Sequence, residues 1–191
     1  MTIKNGRLVE ASWCPSPNFG PRPAGEAGDV SLLVVHNISL PPGQFGGGYI
    51  QDFFRNQLDT QVHPYFTEIA QLQVSSHLLI ERSGQVIQFV NFNDRAWHAG
   101  QSSYQGRDNC NDYSVGIELE GTDHVPYTDA QYQALTRVCA ELLACYPALS
   151  PYRITGHEHI APGRKTDPGP AFNWQTLFGG LAQGQRQGGQ Q

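Results

Sequence analysis

The sequence predicts an α/β fold, a single domain in which a central mixed β-sheet is flanked by helices. Strand-like and helical hydrophobic patterns alternate along the chain, as they do in this fold class. The 191 residues are 39% hydrophobic and 15% charged, which is typical of one globular domain with one core. No repeat or linker divides the chain, so we expect one domain over residues 1–180. Residues 181–191 have few apolar side chains to bury, which predicts a disordered tail.

The first strand with a clear pattern covers residues 31–39. Its apolar run at residues 32–35 is typical of a strand buried on both faces, and it places His36 at the carboxyl end. Residues 46–58 then space their apolar side chains at helical intervals, which predicts a short amphipathic helix. Residues 77–90 predict a β-hairpin.

Clean alternation in residues 113–121 predicts another strand. Gly116, Glu118 and Glu120 share one of its faces, so both carboxylates point the same way. The interpretation as a solvated strand carboxylate suits Glu120 better than Glu118, which leaves Glu118 as the candidate for chemistry.

The clearest helix covers residues 128–146, where Thr128 and Gln131 form a capping-box pattern. After a short strand near residues 153–155 comes the segment "TGHEHIAPGRKTDPG", residues 155–169. Its prolines and glycines predict a turn-rich surface loop rather than a helix. Polar side chains on such a loop suit a functional site better than a core.

Charge and composition exclude several classes of protein. The net charge of -5 and the pI of about 5.7 argue against a nucleic-acid surface, which needs clustered Lys and Arg. No apolar stretch is long enough to span a membrane, and the amino terminus lacks the apolar core of a signal peptide, so we expect a cytoplasmic protein. The four cysteines have no C-x-x-C spacing, which favours reduced structural thiols.

His36 and His157 share a context, because each ends a predicted strand and opens a loop. The carboxyl ends of strands present side chains to a cleft. With Asp167 these histidines make a three-ligand set for zinc that leaves a fourth position open. Glu158 and His159 compete for the third place. Two hydrogen-bonded histidines and a turn-capping Asp167, with no metal, are the alternative.

The segment "RAWHAG", residues 95–100, is a candidate wall for a sugar or acyl group. Trp97 and His98 combine an indole and an imidazole there, before a glycine that permits close backbone approach. A purely structural role for His98 is the alternative.

Five segments are more specific than any single pattern: "VVHNISLPPGQFGGG", "RAWHAGQSSYQGR", "CNDYSVGIELEGTD", "YTDAQY" and "IAPGRKTDPG". Together, in this order within residues 13–174, they resemble the cytosolic N-acetylmuramoyl-L-alanine amidases. The resemblance implies the fold shared with phage lysozyme-type amidases and peptidoglycan recognition proteins, with zinc in a surface cleft. Residue by residue, it implies His36, His157 and Asp167 as zinc ligands, Glu118 as the catalytic acid and Lys165 as the catalytic lysine. The candidate substrate-binding residues are Asn37, Trp97, His98 and Arg107.

The implied reaction is hydrolysis of the amide between the lactyl group of 1,6-anhydro-N-acetylmuramic acid and L-alanine, during peptidoglycan recycling in the cytosol. This muropeptide is the expected partner of a monomeric protein. Gln73 and Asn109 are neutral where we expect basic residues near the peptide. Two alternatives are a non-catalytic muropeptide-binding module and an amidase that acts on intact cell wall. The presence of all three ligands favours an enzyme.

Overall fold

The structure, a computed structural model, describes residues 1–23 and 30–188. In these residues the strands are β1 (Ile3–Lys4), β2 (Arg7–Leu8), β3 (Ser12–Trp13), β4 (Phe19–Pro21), β5 (Leu32–Ile38), β6 (Leu78–Ile80), β7 (Val86–Gln88), β8 (Asp94–Ala96), β9 (Ser103–Tyr104), β10 (Arg107–Asp108), β11 (Ser114–Glu120) and β12 (Ile154–Gly156). The helices are α1 (Tyr49–Phe54), α2 (Pro64–Ile69), α3 (Asp129–Cys145), α4 (His157–Ile160) and α5 (Trp174–Gly188). Short 3-10 turns cover Cys110–Asp112 and Pro151–Arg153.

Six strands form the central sheet, in the order β12-β5-β11-β6-β7-β3. Neighbouring strands are parallel except for the antiparallel pair β6 and β7. The predicted mixed sheet and the predicted hairpin are therefore confirmed. Because β12, β5 and β11 are parallel neighbours, their carboxyl ends meet at one edge of the sheet.

Helices cover both faces of this sheet, as predicted. Leu78 and Ile80 of β6 belong to the buried cluster that includes α3 and α5, whereas Leu79 belongs to the cluster that includes α1 and α2. Successive side chains of a strand point to opposite faces, so the two clusters lie on opposite sides of the sheet.

The predicted capping box begins α3. The Thr128 hydroxyl oxygen accepts a hydrogen bond from the Gln131 backbone N–H, and the Thr128 N–H donates to Gln131 Oε1, both at 3.1 Å. The buried amide nitrogen of Gln131 also donates to the carbonyl oxygens of Ile80 and Glu120. The residue that caps the helix therefore also fastens it to the ends of β6 and β11.

The segment over residues 155–169 differs from its prediction in one respect. It contains a single helical turn, α4, which begins directly after β12. Pro162 and Pro168 lie after this turn, so they end the helix without preventing it. The remainder of the segment is the predicted turn-rich loop.

The predicted disorder from residue 181 is wrong for the part of the tail that α5 includes. This helix continues to Gly188, and Leu177 and Leu181, one turn apart, are buried in the core. A Cβ at Gly180 would lie 2.9 Å from Thr136 Oγ1 of α3, so the glycine permits close contact between the two helices. Residues 189–191 lie outside the described residues.

Two further sequence predictions concern the chain as a whole. All four cysteines are free, as predicted. Among the helices of residues 1–23 and 30–188, none combines the length and the apolar character that crossing a bilayer requires.

Candidate metal centre

Three neighbouring segments bring His36, His157 and Asp167 together. His36 lies near the end of β5, and β12 pairs with β5 in parallel, so His157 at the start of α4 emerges at the same edge of the sheet. Asp167 follows in the loop, where its carbonyl oxygen accepts a hydrogen bond from the Glu158 N–H at 2.9 Å. The structure thus assembles the three residues that the sequence singled out as ligands.

The donor atoms of these residues form a small triangle. His36 Nδ1 lies 3.0 Å from both His157 Nδ1 and Asp167 Oδ2, and the third side measures 3.1 Å. Ligand atoms on a tetrahedron with zinc bonds of about 2.0–2.1 Å are about 3.3 Å apart, so the triangle is close to the required size. In the part of the chain that the structure describes, no other group of His, Cys, Asp or Glu is arranged to hold an ion.

A hydrogen bond on the far side of the His157 ring shows that the ring nitrogen facing the triangle carries a lone pair. His157 Nε2 lies 3.1 Å from the Ala99 carbonyl oxygen, which only accepts, so Nε2 carries the ring proton. In the neutral ring, Nδ1 then points a lone pair at the Asp167 carboxylate. Such an arrangement is repulsive unless a cation lies between the donors. The donor set therefore fits a metal ion.

His36 and Asp167 have the protonation states that a metal needs. His36 is only 1% exposed, and burial lowers its pKa to about 4, so its ring is neutral at pH 7. Burial raises the pKa of Asp167, but its interactions with the His157 and His36 rings outweigh burial and lower the pKa below its usual range. A neutral imidazole and an ionised carboxylate are the forms that bind metals.

Glu118 lies beside the ligands in an unusual environment. It lines the same cleft, and its buried Oε2 has no hydrogen-bond partner among the described residues. Burial and the negative charge of Asp167 raise the pKa of Glu118 well above its usual range, while the charge of Lys165 opposes this rise. A buried carboxylate with a raised pKa is suited to accept and release a proton.

One cleft of about 400 Å³ contains all of these groups. Lys165, which is exposed on the loop, lines the cleft together with Asn37, Trp97 and His98. Much of the remaining lining is an apolar wall that consists of Leu40, Phe53, Phe54, Tyr65, Ile69, Leu72 and Val74. Sequence reasoning missed this wall, because its members come from three separated segments whose apolar spacing equally fits an ordinary core.

Two predicted substrate-binding residues have other contacts as well. The Asn37 amide donates to Asp123 Oδ1 at 2.8 Å and to the Pro168 carbonyl oxygen at 3.1 Å, so it braces the loop next to the metal triangle. Arg107 is not among the residues that line the cleft, and its guanidinium lies 3.8 Å from the centroid of the Tyr113 ring. Their roles in binding substrate stay predictions.

The structure corrects the interpretation of Glu120. Glu120 is buried rather than solvated, and its two oxygens accept hydrogen bonds from the backbone N–H groups of Gly46 and Arg82. The alternation of the strand correctly predicted the face on which Glu120 lies, but it did not predict the loop that covers this residue.

The two competing ligand candidates lie outside the metal triangle. The side chain of His159 is 57% exposed, and neither His159 nor Glu158 belongs to the triangle.

The sequence profile of N-acetylmuramoyl-L-alanine amidases matches residues 26–170. The chain belongs to this amidase family. Two relatives, both 1,6-anhydro-N-acetylmuramyl-L-alanine amidases AmpD, are similar over nearly their whole length. The enzyme of Salmonella typhimurium (strain SL1344) is 59% identical over 91% of each chain. That of Escherichia coli (strain K12) is 57% identical over 91% of this chain and 93% of its own.

Solved structures of this amidase family confirm the fold. The crystal structure of a Se-Met AmpD derivative has a TM-score of 0.91 and 54% identity over 95% of this chain and 99% of its own. Escherichia coli AmiD, in complex with the substrate anhydro-N-acetylmuramic acid-L-Ala-D-gamma-Glu-L-Lys, has a TM-score of 0.57 and 28% identity. That match covers 94% of this chain and 65% of AmiD. The resemblance predicted from the five sequence segments is therefore confirmed.

Proposed function

We propose that the chain is a zinc-dependent amidase that cleaves the bond between 1,6-anhydro-N-acetylmuramic acid and the L-alanine of muropeptides. The observation that carries the proposal is the convergence of His36, His157 and Asp167 beside Glu118, whose buried Oε2 has no hydrogen-bond partner among the described residues. The names of the AmpD relatives and the substrate bound to AmiD support the substrate class. A catalytic domain over residues 1–180, a monomeric state and a role in cytoplasmic peptidoglycan recycling belong to the proposal and rest on similarity to the family.

Amide hydrolysis needs an activated water molecule and a means of stabilising negative charge on the carbonyl oxygen. A zinc ion held by His36, His157 and Asp167 would supply Lewis acidity and lower the pKa of a water molecule towards about 7. Glu118, in the same cleft, accepts the proton of the attacking water. It then delivers this proton to the departing amine of L-alanine, so one carboxylate serves both steps.

Lys165 supplies positive charge on the open side of the cleft. Its ammonium would lie against the carbonyl oxygen as negative charge develops there, a contact of the kind that contributes about 2.7–4 kcal/mol to catalysis. The apolar wall and the Trp97 ring suit the sugar, because aromatic faces pack well against apolar faces of sugar rings.

Mass spectrometry of reaction products tests this function. Purified anhydro-muropeptide and intact peptidoglycan sacculi would each be incubated with the zinc-loaded protein and with protein treated with a chelator. We expect free anhydro-N-acetylmuramic acid and a peptide that begins with L-alanine, from the muropeptide and only with zinc. Binding without cleavage would support the binding module instead, and preferential release of peptides from sacculi would support an amidase of intact cell wall.

A further inference from the structure

His98 contacts the far side of a proposed metal ligand. Its Nδ1 lies 3.0 Å from His36 Nε2, the ring nitrogen that faces away from Asp167. On the other side of its ring, His98 Nε2 lies 3.1 Å from Ser114 Oγ. With a proton on Nε2 that is donated to this hydroxyl, His98 Nδ1 accepts from His36 Nε2–H. This hydrogen bond leaves the lone pair of His36 on Nδ1, the atom in the metal triangle.

A glycine creates the space that His98 occupies. Gly116 lies on β11, and a Cβ at this position would come within 2.5 Å of His98 Cγ and 2.6 Å of Nδ1. The backbone of Gly116 does not itself require glycine, because its φ is not positive. The absence of a side chain is therefore explained by the imidazole ring that packs over the strand.

Ala99, the residue after His98, contacts the far side of the other proposed histidine ligand, His157. The Ala99 carbonyl oxygen lies 3.1 Å from His157 Nε2. The backbone N–H groups of His98 and Ala99 both donate to Asn111 Oδ1, at 3.0 and 2.8 Å. The buried side chain of Asn111 thus fixes the backbone of His98 and Ala99, the two residues that contact the proposed histidine ligands on the side away from Asp167. Sequence reasoning did not single out Asn111, because no local pattern marks such a long-range contact.

We propose that His98 is a positioning residue for the metal: it sets the tautomer and orientation of His36, while Gly116 and Asn111 hold it in place. The proposal rests on the proposed function for the presence of zinc. Groups that hydrogen-bond to the far side of a ligand histidine change metal affinity by about 10- to 100-fold. Both ring nitrogens of His98 contact protein atoms. We therefore propose the positioning role in place of the predicted polar contact between His98 and the substrate.

Two substitutions of His98 separate hydrogen bonding from packing. His98→Phe keeps an aromatic ring in the space above Gly116 but removes the acceptor, whereas His98→Asn removes the ring but keeps an oxygen near the position of Nδ1. The zinc dissociation constant of each protein would be measured by competition with a chromophoric chelator, and folding of the metal-free proteins by thermal unfolding. We expect His98→Phe to weaken zinc binding by about 10- to 100-fold and His98→Asn to recover most of the loss.

The opposite order, with tight binding in His98→Phe and weak binding in His98→Asn, would show that the ring only packs and would overturn the proposal. Equal affinity in all three proteins would also overturn it. A wild-type protein that binds no zinc would instead contradict the proposed function, so the two failures are distinguishable.

A second pair of variants changes no atom that touches a ligand. Gly116→Ala displaces the His98 ring, and we expect weaker zinc binding, again within about 10- to 100-fold. The matched control is Gly20→Ala on β4, where a Cβ would meet no atom within 4 Å. A folded Gly116→Ala protein that binds zinc as tightly as Gly20→Ala would contradict the role of this space.

Discussion

Glu118 on β11 and His36 on β5 are partners in register across two adjacent parallel strands. The backbone hydrogen bonds of the central sheet therefore fix the proposed proton carrier relative to a proposed ligand. Every residue of β11 is buried, so this placement belongs to the core of the fold rather than to a surface loop. We therefore expect that replacing Glu118 by a residue of the same shape changes the rate of catalysis without disturbing the sheet.

Asp167→Ala should release the metal. The substitution removes one of three donors, and the two remaining imidazoles lose the only negative charge of the triangle. We expect zinc affinity to fall by more than the roughly 10- to 100-fold typical of groups behind a ligand. Metal analysis of the purified protein, together with a zinc-binding titration, measures this loss. His159→Ala is the control and should retain one zinc per chain, and full zinc content in Asp167→Ala would exclude Asp167 as a ligand.

Lys165→Met should slow the chemical step. Because the ammonium is proposed to act on charge that develops only in the transition state, we expect kcat to fall by about 10²- to 10³-fold with little change in KM. Steady-state kinetics on anhydro-muropeptide measure both constants at constant zinc content. Lys165→Arg should recover part of the rate. A rise in KM with unchanged kcat would mean that Lys165 binds the substrate without stabilising the transition state.

His77 should make the fold sensitive to acid. Burial, with the positive charge of Arg22, lowers the pKa of His77 from 6.5 to about 3. Its Nδ1 accepts from the Gly116 N–H and its Nε2 faces the Asp94 carbonyl oxygen, so the folded state holds the neutral ring. Since the unfolded chain takes up a proton at higher pH than the folded one, this contribution to stability is complete above pH 6.5 and is lost as the pH falls towards 3.

The comparison with His77→Gln isolates this contribution. The free energy of unfolding would be measured in urea at several pH values below 6.5, with a chelator present so that metal release plays no part. We expect the wild type to lose up to about 1.4 kcal/mol per pH unit more than the variant. Identical pH dependence in the two proteins would show that His77 is not held neutral.

Truncation should distinguish the buried part of α5 from its end. Removal of residues 182–191 keeps both buried leucines of this helix, so we expect little change in Tm. Leu181→Ala in the full chain should destabilise the protein by about 2–5 kcal/mol, as expected for a buried leucine. Thermal unfolding measures both variants. A large fall in Tm for the truncated protein would show that residues beyond Leu181 also contribute to packing.

The elements predicted correctly from sequence are those whose information is local. The capping box of α3 lies within four residues. The strand that has His36 near its end is indicated by an uninterrupted apolar run. The approach of His36 to His157 was also predictable, because the ends of parallel strands meet at one edge of a sheet. These predictions needed only periodicity and the geometry of regular structure, whereas the choice of Asp167 over Glu158 and His159 came from the resemblance to the amidase family.

The predictions that failed depend on contacts between distant segments. Glu120 is buried because Gly46, 74 residues away in sequence, donates to it, and strand alternation contains no information about that loop. The composition of residues 181–191 indicated disorder, but in the structure α5 continues to Gly188, and Gly180 permits close approach of this helix to α3. A glycine has the same appearance in a sequence whether it loosens a chain or makes room for a neighbour.

Turnover by Glu118→Gln tests the central claim most directly, because it separates catalysis from metal and substrate binding. We expect this variant to retain one zinc, to bind anhydro-muropeptide, and to lose about 10²- to 10⁴-fold in kcat, the range for a positioned acid and base. Glu120→Gln is the matched control on the same strand face; its amide oxygen can still accept from the Gly46 and Arg82 N–H groups, so most activity should remain. A Glu118→Gln protein that holds zinc and turns over at close to the wild-type rate would contradict the account.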